Sequence, residues 1–543
     1  MTTTSSSIFA GLGCLLVASI IYFRKLKANP ARAHLPPGPK PIPVLGNVKD
    51  LRAKELWLPA MDWAKQYGDI TYLHVFGQGL TFINSLESAS DLLEKRGGMY
   101  ADKPQFTMVC ELCNCKNMVS PSLTDKASDP ELYPLLQVAF TPYGEQSKRQ
   151  RRLMHKAFAP ARIPDYHPLM ESSTNLFLRN VIASPADYIG HVRRYSGSLT
   201  LNIVYGYEVT SNEDEYLMMA EECVGILANE IASAGGVWAV DVMPFLAKIP
   251  KWAEGLPGMS FKRKARKWKK MMEDWVDGPF EYVKNTMKSG SYKQSFCSSL
   301  LDDESISQTQ EHFEFDLKWT ANSMYAASID TTITSVAHFL LAMMKHPEVL
   351  KKAQHEIDTV VGQDRLPTFS DRKSLPYVEA VLSETWRWAS PVPLSLPHKL
   401  TEDDVYRGMY IPKGSLIFAN IWAMTRDERI FPDPETFNPE RYLNMDPETK
   451  KKQDPRNFIF GFGRRLCPGN HIVDASLWLL VVRMMATLDI STPVDEKGNA
   501  IDIVPVFDNP IFRTPNPFPC DMRPRSEKAV NLIRQYADPR ASA

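Results

Sequence analysis

One cysteine in this chain is surrounded as a reactive or metal-binding sulfur would be. It lies in 460-FGFGRRLCPG-469, where two glycines and two arginines precede Cys467 and a Pro-Gly pair follows it. A free thiol titrates near about 8.5, so a working thiolate needs a neighbouring positive charge, a metal or a helix N-terminus. Arg464 and Arg465 supply the charge. The helix is expected too: Pro468 suits a first helical position, and HIVDASLWLLVVRMMATL follows as an apolar helical stretch. Its dipole would turn a positive end toward the sulfur. Gly461 and Gly463 permit a tight turn whose amides aim at the same point. An anionic sulfur so placed is a nucleophile or a metal ligand.

Other groups are less specific alone. In 327-ASIDTT-332 an acid stands beside two hydroxyls within the longest helical stretch, a pattern that a polar helical turn also shows. Glu384 and Arg387, in 384-ETWR-387, sit three apart, the spacing at which helical side chains pair. The basic run in 143-YGEQSKRQRR-152 makes a solvated face or a dock for an acidic partner. The thiols of 110-CELCNC-115 lack a second pair and a nearby histidine, so four zinc ligands are not assembled. That run is expected in a loop.

A large body must position these groups. The 543-residue chain is 44% apolar and 23% charged, an ordinary globular composition, with Lys plus Arg equal to Asp plus Glu. That balance gives no electrostatic basis for a nucleic-acid partner. Eight scattered cysteines in so long a chain fit a reducing compartment, and the absence of any Asn-x-Ser/Thr site agrees. The N-terminus differs. From Ile8 to Phe23, IFAGLGCLLVASIIYF is apolar or small, and RKLK follows. A spanning helix needs roughly 17 apolar residues at least, a length this run reaches with the preceding serines in the interface. Its charge follows the apolar run, unlike that of a cleaved signal peptide, and Arg24, Lys25 and Lys27 would keep the following chain cytoplasmic.

The expected organisation is a membrane anchor with its charged flank at 1–34, a stiff proline-rich linker at 35–47, and one domain at 48–543 with a short C-terminal tail. Within that domain helical periodicity dominates. A stretch from Phe315 to Lys345 has no Pro or Gly, and as a helix it would span about 45 Å. Strand-like segments are ITYLHVFG, TFINS and VYRGMYIPKGSLIFANI. The expected fold class is mainly α with small β-sheets. A proline-broken apolar segment at 242–259, with FKRKARKWKK after it, is expected to meet lipid and anionic headgroups.

The pattern F-x-x-G-x-R-x-C-x-G is matched in full by Phe460, Gly463, Arg465, Cys467 and Gly469, and it resembles the haem-binding loop of the cytochrome P450 family. The resemblance implies Cys467 as axial ligand of haem b iron and Arg465 as a propionate partner. Phe460, Gly463 and Gly469 would complete the cofactor-binding loop. It also implies that Glu384, Arg387 and Arg441, the last from 439-PERY-442, form a charged cluster steadying the haem-side core. The ASIDTT segment is similar to the family's A-G-x-D/E-T-T, in which Thr331 would hold a proton donor and Asp330 would relay protons from solvent. Two departures stand here: Ser328 replaces the usual glycine and Ile329 the usual small residue. A third lies in the propionate-binding helix, where Ser147 stands in place of tryptophan while Arg151 keeps its position. His398, in 397-PHKL-400, fits a further propionate position. Ile329, Val392, Leu394 and Ile511 are the expected substrate-pocket residues.

The resemblance runs from LPPGP to 509-NPIFRTPNPFP-519 and implies the cytochrome P450 fold, with haem between the long helix and the Cys467 loop. The implied activity is monooxygenation of an apolar small molecule with dioxygen. Electrons would come from NADPH through a separate cytochrome P450 reductase, and the family also admits cytochrome b5 as a donor. The anchor would place the protein in the endoplasmic reticulum membrane. HVRRYSGSLTLNIVYGYEV and NIWAMTRDE resemble fungal members of secondary metabolism, which points to a terpenoid or aromatic substrate. Two alternatives remain: a dioxygen-independent rearrangement or dehydration enzyme, and a non-catalytic membrane-tethered haem sensor. Asp330–Thr331 argues against the first, and substrate-dependent NADPH consumption would separate the enzyme from the second.

Overall fold

The computed structural model describes residues 34–113, 139–231, 238–250, 254, 259–304 and 312–537. The expected anchor, the end of the CELCNC run and parts of the 242–259 segment lie outside the described residues.

The helices that build the body are α1 (Trp57–Tyr67), α2 (Glu145–Phe158), α3 (His167–Ala183), α4 (Tyr188–Tyr205), α5 (Glu215–Ile226), α6 (Phe261–Ser289), α7 (Phe313–Lys345), α8 (Pro347–Val360), α9 (Pro376–Trp388), α10 (Asn470–Thr487) and α11 (Glu527–Ala537). Among them α7 runs unbroken for 33 residues and is buried on almost every side. A helix apolar all round belongs in a core. It packs against α2, α4, α9 and α10, and these contacts hold the main hydrophobic cluster. It is also the one described helix long and apolar enough to cross a membrane, but 78% of its apolar window is buried inside the protein.

The strands are β1 (Ile70–Val75), β2 (Gln78–Ile83), β3 (His398–Lys399), β4 (Asp404–Tyr406), β5 (Met409–Ile411), β6 (Leu416–Ala419), β7 (Leu488–Ser491) and β8 (Asp521–Pro524). One sheet has the order β1-β2-β6-β3, with β2 parallel to β6 and the other pairs antiparallel. The rest form two-stranded ribbons, β4-β5 and β7-β8. Phe82 of β2 stacks on Phe418 of β6 at 5.0 Å, above Trp57 and Trp63 of α1.

Three local expectations need correction or refinement. Pro468 stands outside its helix: α10 begins at Asn470 with Gly469 as N-cap, because the Pro-Gly pair is spent on the turn. The proline-rich linker lies along β1, where Tyr72 N–H donates to the carbonyl of Pro37 and Asn47 N–H to that of His74. The unpaired edge of β1 is thereby covered. Several basic residues of α6 are engaged within the protein, since Lys264, Arg266 and Lys270 pair with Glu230, Glu254 and Asp274.

Candidate active site

The Cys467 loop is shaped by its backbone. Phe460 stands edge-on to Trp386 of α9 at 5.7 Å, and its carbonyl accepts the N–H of Cys467 at 2.8 Å. Gly461 and Gly463 then turn the chain at φ +82° and +52°. At Gly463 a Cβ would stand 2.4 Å from the carbonyl oxygen of Leu93, so a side chain there would collide with main chain. Gly469 closes the loop: its amide donates toward the sulfur, and a Cβ on it would lie 3.9 Å from Sγ. Burial pushes the Cys467 thiol up, while the Gly469 amide and the charge of Arg151 draw it down. Burial dominates, so a bound cation would be needed to hold the sulfur as thiolate.

Basic groups gather beside it. Arg151 of α2 donates through Nη2 to the carbonyl of Leu466 at 2.6 Å. Arg465 donates to the carbonyls of Ala101 and Thr141 at 2.7 and 2.8 Å. His398 of β3 has Nδ1 2.8 Å from the carbonyl of Tyr100, so its proton sits on Nδ1. Sequence reasoning missed Lys103, which is 5% exposed and donates to the carbonyls of Leu396 and Pro397 at 3.0 and 3.1 Å. Burial pushes all of these groups down, and mutual repulsion adds to it for Lys103, His398 and Arg465, whose guanidinium falls to about 10. The one carboxylate among them, Asp102, already accepts the N–H of Tyr143 at 2.9 Å.

The departure at Ser147 leaves a trace. Its hydroxyl caps α2, bonding both the N–H and the carbonyl of Gly144, so it offers nothing in place of an indole N–H. Three residues on, Gln150 is fully buried; its Oε1 accepts the Thr141 hydroxyl at 3.1 Å, but Nε2 has no partner among the described residues. Basic groups that outnumber the carboxylate beside them, an orphaned amide donor and a single sulfur make a donor set that fits a dianionic, iron-bearing cofactor such as haem. Nothing in the spacing of ADKP or KRQRR would have singled out Lys103 or Gln150, since both depend on burial.

On α7, Asp330 and Thr331 occupy adjacent positions. Thr331 donates to the carbonyl of Ala327 at 2.7 Å. Ser328 donates to the carbonyl of Tyr325 at 2.8 Å and its own carbonyl accepts the Ser196 hydroxyl of α4 at 2.7 Å. The helix nonetheless continues through this turn. Burial and the charge of Glu221 push the Asp330 carboxyl up to about 6, opposed by Arg193. Asp330 therefore carries its proton below that pH and loses it above. The pH profile of activity is expected to step near pH 6, and Asp330→Asn to flatten it; a step surviving in the variant would clear Asp330 of that titration.

The four pocket candidates do not converge. Ile329 is 1% exposed and its Cδ1 lies 4.0 Å from where a Cβ on Gly197 of α4 would stand; two residues from Thr331, it faces the opposite side of the helix. Leu394 belongs to the apolar cluster of α1 and the four-stranded sheet. Val392 and Ile511 are half-buried.

The Glu384, Arg387 and Arg441 side chains come together. Arg387 and Glu384 are fully buried and joined by two bonds of 2.8 Å. The remaining Arg387 donors reach the carbonyls of Thr425, Pro434 and Thr436. Arg441 adds a bond to Glu384 at 3.1 Å. A second network, unseen in the sequence, joins Arg456 and Arg372 to Glu379 and Asp474. It places the Arg456 guanidinium 5.0 Å over Trp386, directly behind Phe460.

A mainly helical body with small sheets, closed around one glycine-framed sulfur and a cluster of basic side chains, has the build of a haem–thiolate protein. Comparison with known proteins agrees: the cytochrome P450 family profile matches residues 36–511. The chain is 40% identical to the cytochrome P450 monooxygenase claT of Ampulloclitocybe clavipes, over 96% of each chain. It is 36% identical to COX1 of Coprinopsis cinerea, over 98% of this chain and 100% of that one, and 34% identical to CLM2 of Gibberella zeae, over 96% and 94%. This protein belongs to the cytochrome P450 family. It is a monooxygenase with haem–thiolate iron as its cofactor.

Proposed function

We propose that this monooxygenase oxidises an apolar small molecule of fungal secondary metabolism, a terpenoid or an aromatic compound, with electrons passed from NADPH by a separate reductase. In this reading residues 1–34 anchor the protein in the endoplasmic reticulum membrane and the catalytic domain is cytosolic. The observation that carries the assignment of residues is the meeting of Cys467 with the Gly469 amide and Arg151, beside basic groups that outnumber the nearby Asp102 carboxylate.

Cys467 is the iron ligand, and Arg151, His398, Arg465 and Lys103 hold the propionates. When bound, haem would supply the redox-active iron for dioxygen chemistry, with the Cys467 thiolate as an electron-rich ligand. The chain's own work is to exclude bulk water, to orient the substrate and to move protons. Asp330, held near neutrality by burial, takes up protons at its carboxyl and passes them inward. Thr331 holds the donor through its hydroxyl, which in the structure donates to the Ala327 carbonyl.

Thr331→Ala is expected to keep NADPH consumption while product per NADPH falls by about tenfold, the scale of one lost hydrogen bond to the proton donor. Product per NADPH unchanged from wild type would remove Thr331 from this role. Labelled dioxygen appearing in product, with reductase and a terpenoid panel, tests the function itself.

A further inference from the structure

The long helix carries a second buried polar group that the proton path does not use. His338 lies two turns beyond Thr331 on nearly the same face of α7 and is fully buried. Its Nδ1 is 2.9 Å from the carbonyl of Thr334, and its Nε2 is 3.1 Å from Nη1 of Arg513. A guanidinium only donates. Nε2 is therefore the acceptor, the proton sits on Nδ1, and the Thr334 carbonyl receives it. The ring has one tautomer and no charge. Burial and the neighbouring charges of Arg513 and Arg426 hold it so, pushing its pKa down to about 3.

Arg513 is where several segments meet. Its backbone N–H donates to the carbonyl of Pro391 at 3.0 Å. Its guanidinium lies 3.9 Å over Phe507 and 4.6 Å over Trp422, with Glu55 at 3.8 Å. The next residue, Thr514, shares a hydroxyl–hydroxyl bond with Thr334, which in turn bonds the carbonyl of Asp330. The segment holding Ile511 is thus tied to α7 within about two turns of Asp330 and Thr331, and the segment holding Val392 is joined to it through the Arg513 main chain.

We propose that His338 and Arg513 are positioning residues that pin these two segments to the long helix and thereby set the size of the organic ligand admitted beside the haem. Apolar residues would fill the same volume without directionality, whereas the fixed tautomer and the planar guanidinium allow one arrangement. The proposal rests on the function proposed above and on the family resemblance, which implies Val392 and Ile511 as pocket residues.

The test uses purified full-length holoprotein and the spectral titration of imidazole and of phenyl- and benzyl-substituted imidazoles. His338→Leu and Arg513→Met are expected to change the ratio of large-azole to small-azole Kd by about tenfold, the scale of one buried hydrogen bond. Imidazole itself should bind within about twofold of wild type, because it needs iron and little wall. His338→Gln, which keeps an acceptor for Arg513, should move the ratio back toward wild type. An unchanged ratio in haem-loaded Arg513→Met, or in Arg513→Lys should the larger change empty the site, overturns the proposal. Haem loss from every variant, His338→Gln included, overturns it equally, by showing that the pair only holds the fold. Failure of wild-type protein to give a nitrogen-ligated spectrum with imidazole would instead overturn the haem assignment beneath it.

Discussion

Cys467→Ala protein is expected to show none of the red-shifted absorption that a sulfur-ligated haem gives when reduced and bound to carbon monoxide, and no turnover. The loss should be of the whole signal, because none of the other described cysteines stands in a comparable loop: Cys110, Cys113, Cys223 and Cys297 are buried in the apolar core, and Cys520 lies in the segment leading to β8. The fold should survive. The loop is held by Cys467 N–H on the Phe460 carbonyl, by Gly463 against Leu93 and by Arg151 on the Leu466 carbonyl, and none of these uses the sulfur. Circular dichroism matching wild type, together with a missing carbonyl band, is therefore the expected pair of results. A band of wild-type position and intensity in Cys467→Ala would end the assignment of the ligand, and Cys520→Ala serves as the control that leaves it intact.

Arg387→Ala is expected to be the most destabilising substitution away from the loop. Glu384 and Arg387 have no solvent contact, and every Arg387 donor is committed to Glu384 or a carbonyl. Removing one partner of such a pair strands the other charge and costs about 3–5 kcal/mol. Against a typical stability of about 5–15 kcal/mol this is a large share. Arg387→Lys should rescue little, since an ammonium does not reproduce the planar fork. Arg441→Ala removes a side chain nearer the surface, 9% exposed, and leaves Glu384 its better partner, so its cost should be about 1–3 kcal/mol. Haem content per protein and thermal midpoint measure both. Full haem occupancy in Arg387→Ala would show the cluster to be dispensable.

Much of the framework was legible because it depends on local pattern. The absence of Pro and Gly from Phe315 to Lys345 foretold α7 to within two residues of its start, and the strand-like segments ITYLHVFG and TFINS foretold β1 and the second half of β2. What could not be read depends on contacts between distant segments. Lys103 matters only because residues 396 and 397 fold over it. The Arg456 network needs α9, α10 and the loop before Cys467 at once. Pro468 misled because Pro-Gly serves equally as helix entry and as turn, and here the turn prevailed. Ile329 stands apart from the proposed proton-handling pair that follows it, because helical rotation turns it toward α4.

The parallel pairing of β2 with β6 has a consequence for biosynthesis. Bonds such as Gln78 Nε2 to the Gly414 carbonyl and Asn420 Nδ2 to Asn84 Oδ1 each join residues 336 positions apart. While the ribosome makes the intervening chain, one side of β2 must wait with its ladder groups unpaired, an invitation to mispairing that grows with the length of the delay. The strand that completes the sheet emerges shortly before the Cys467 loop itself, so closure of the sheet and readiness to receive the cofactor fall together, late in translation.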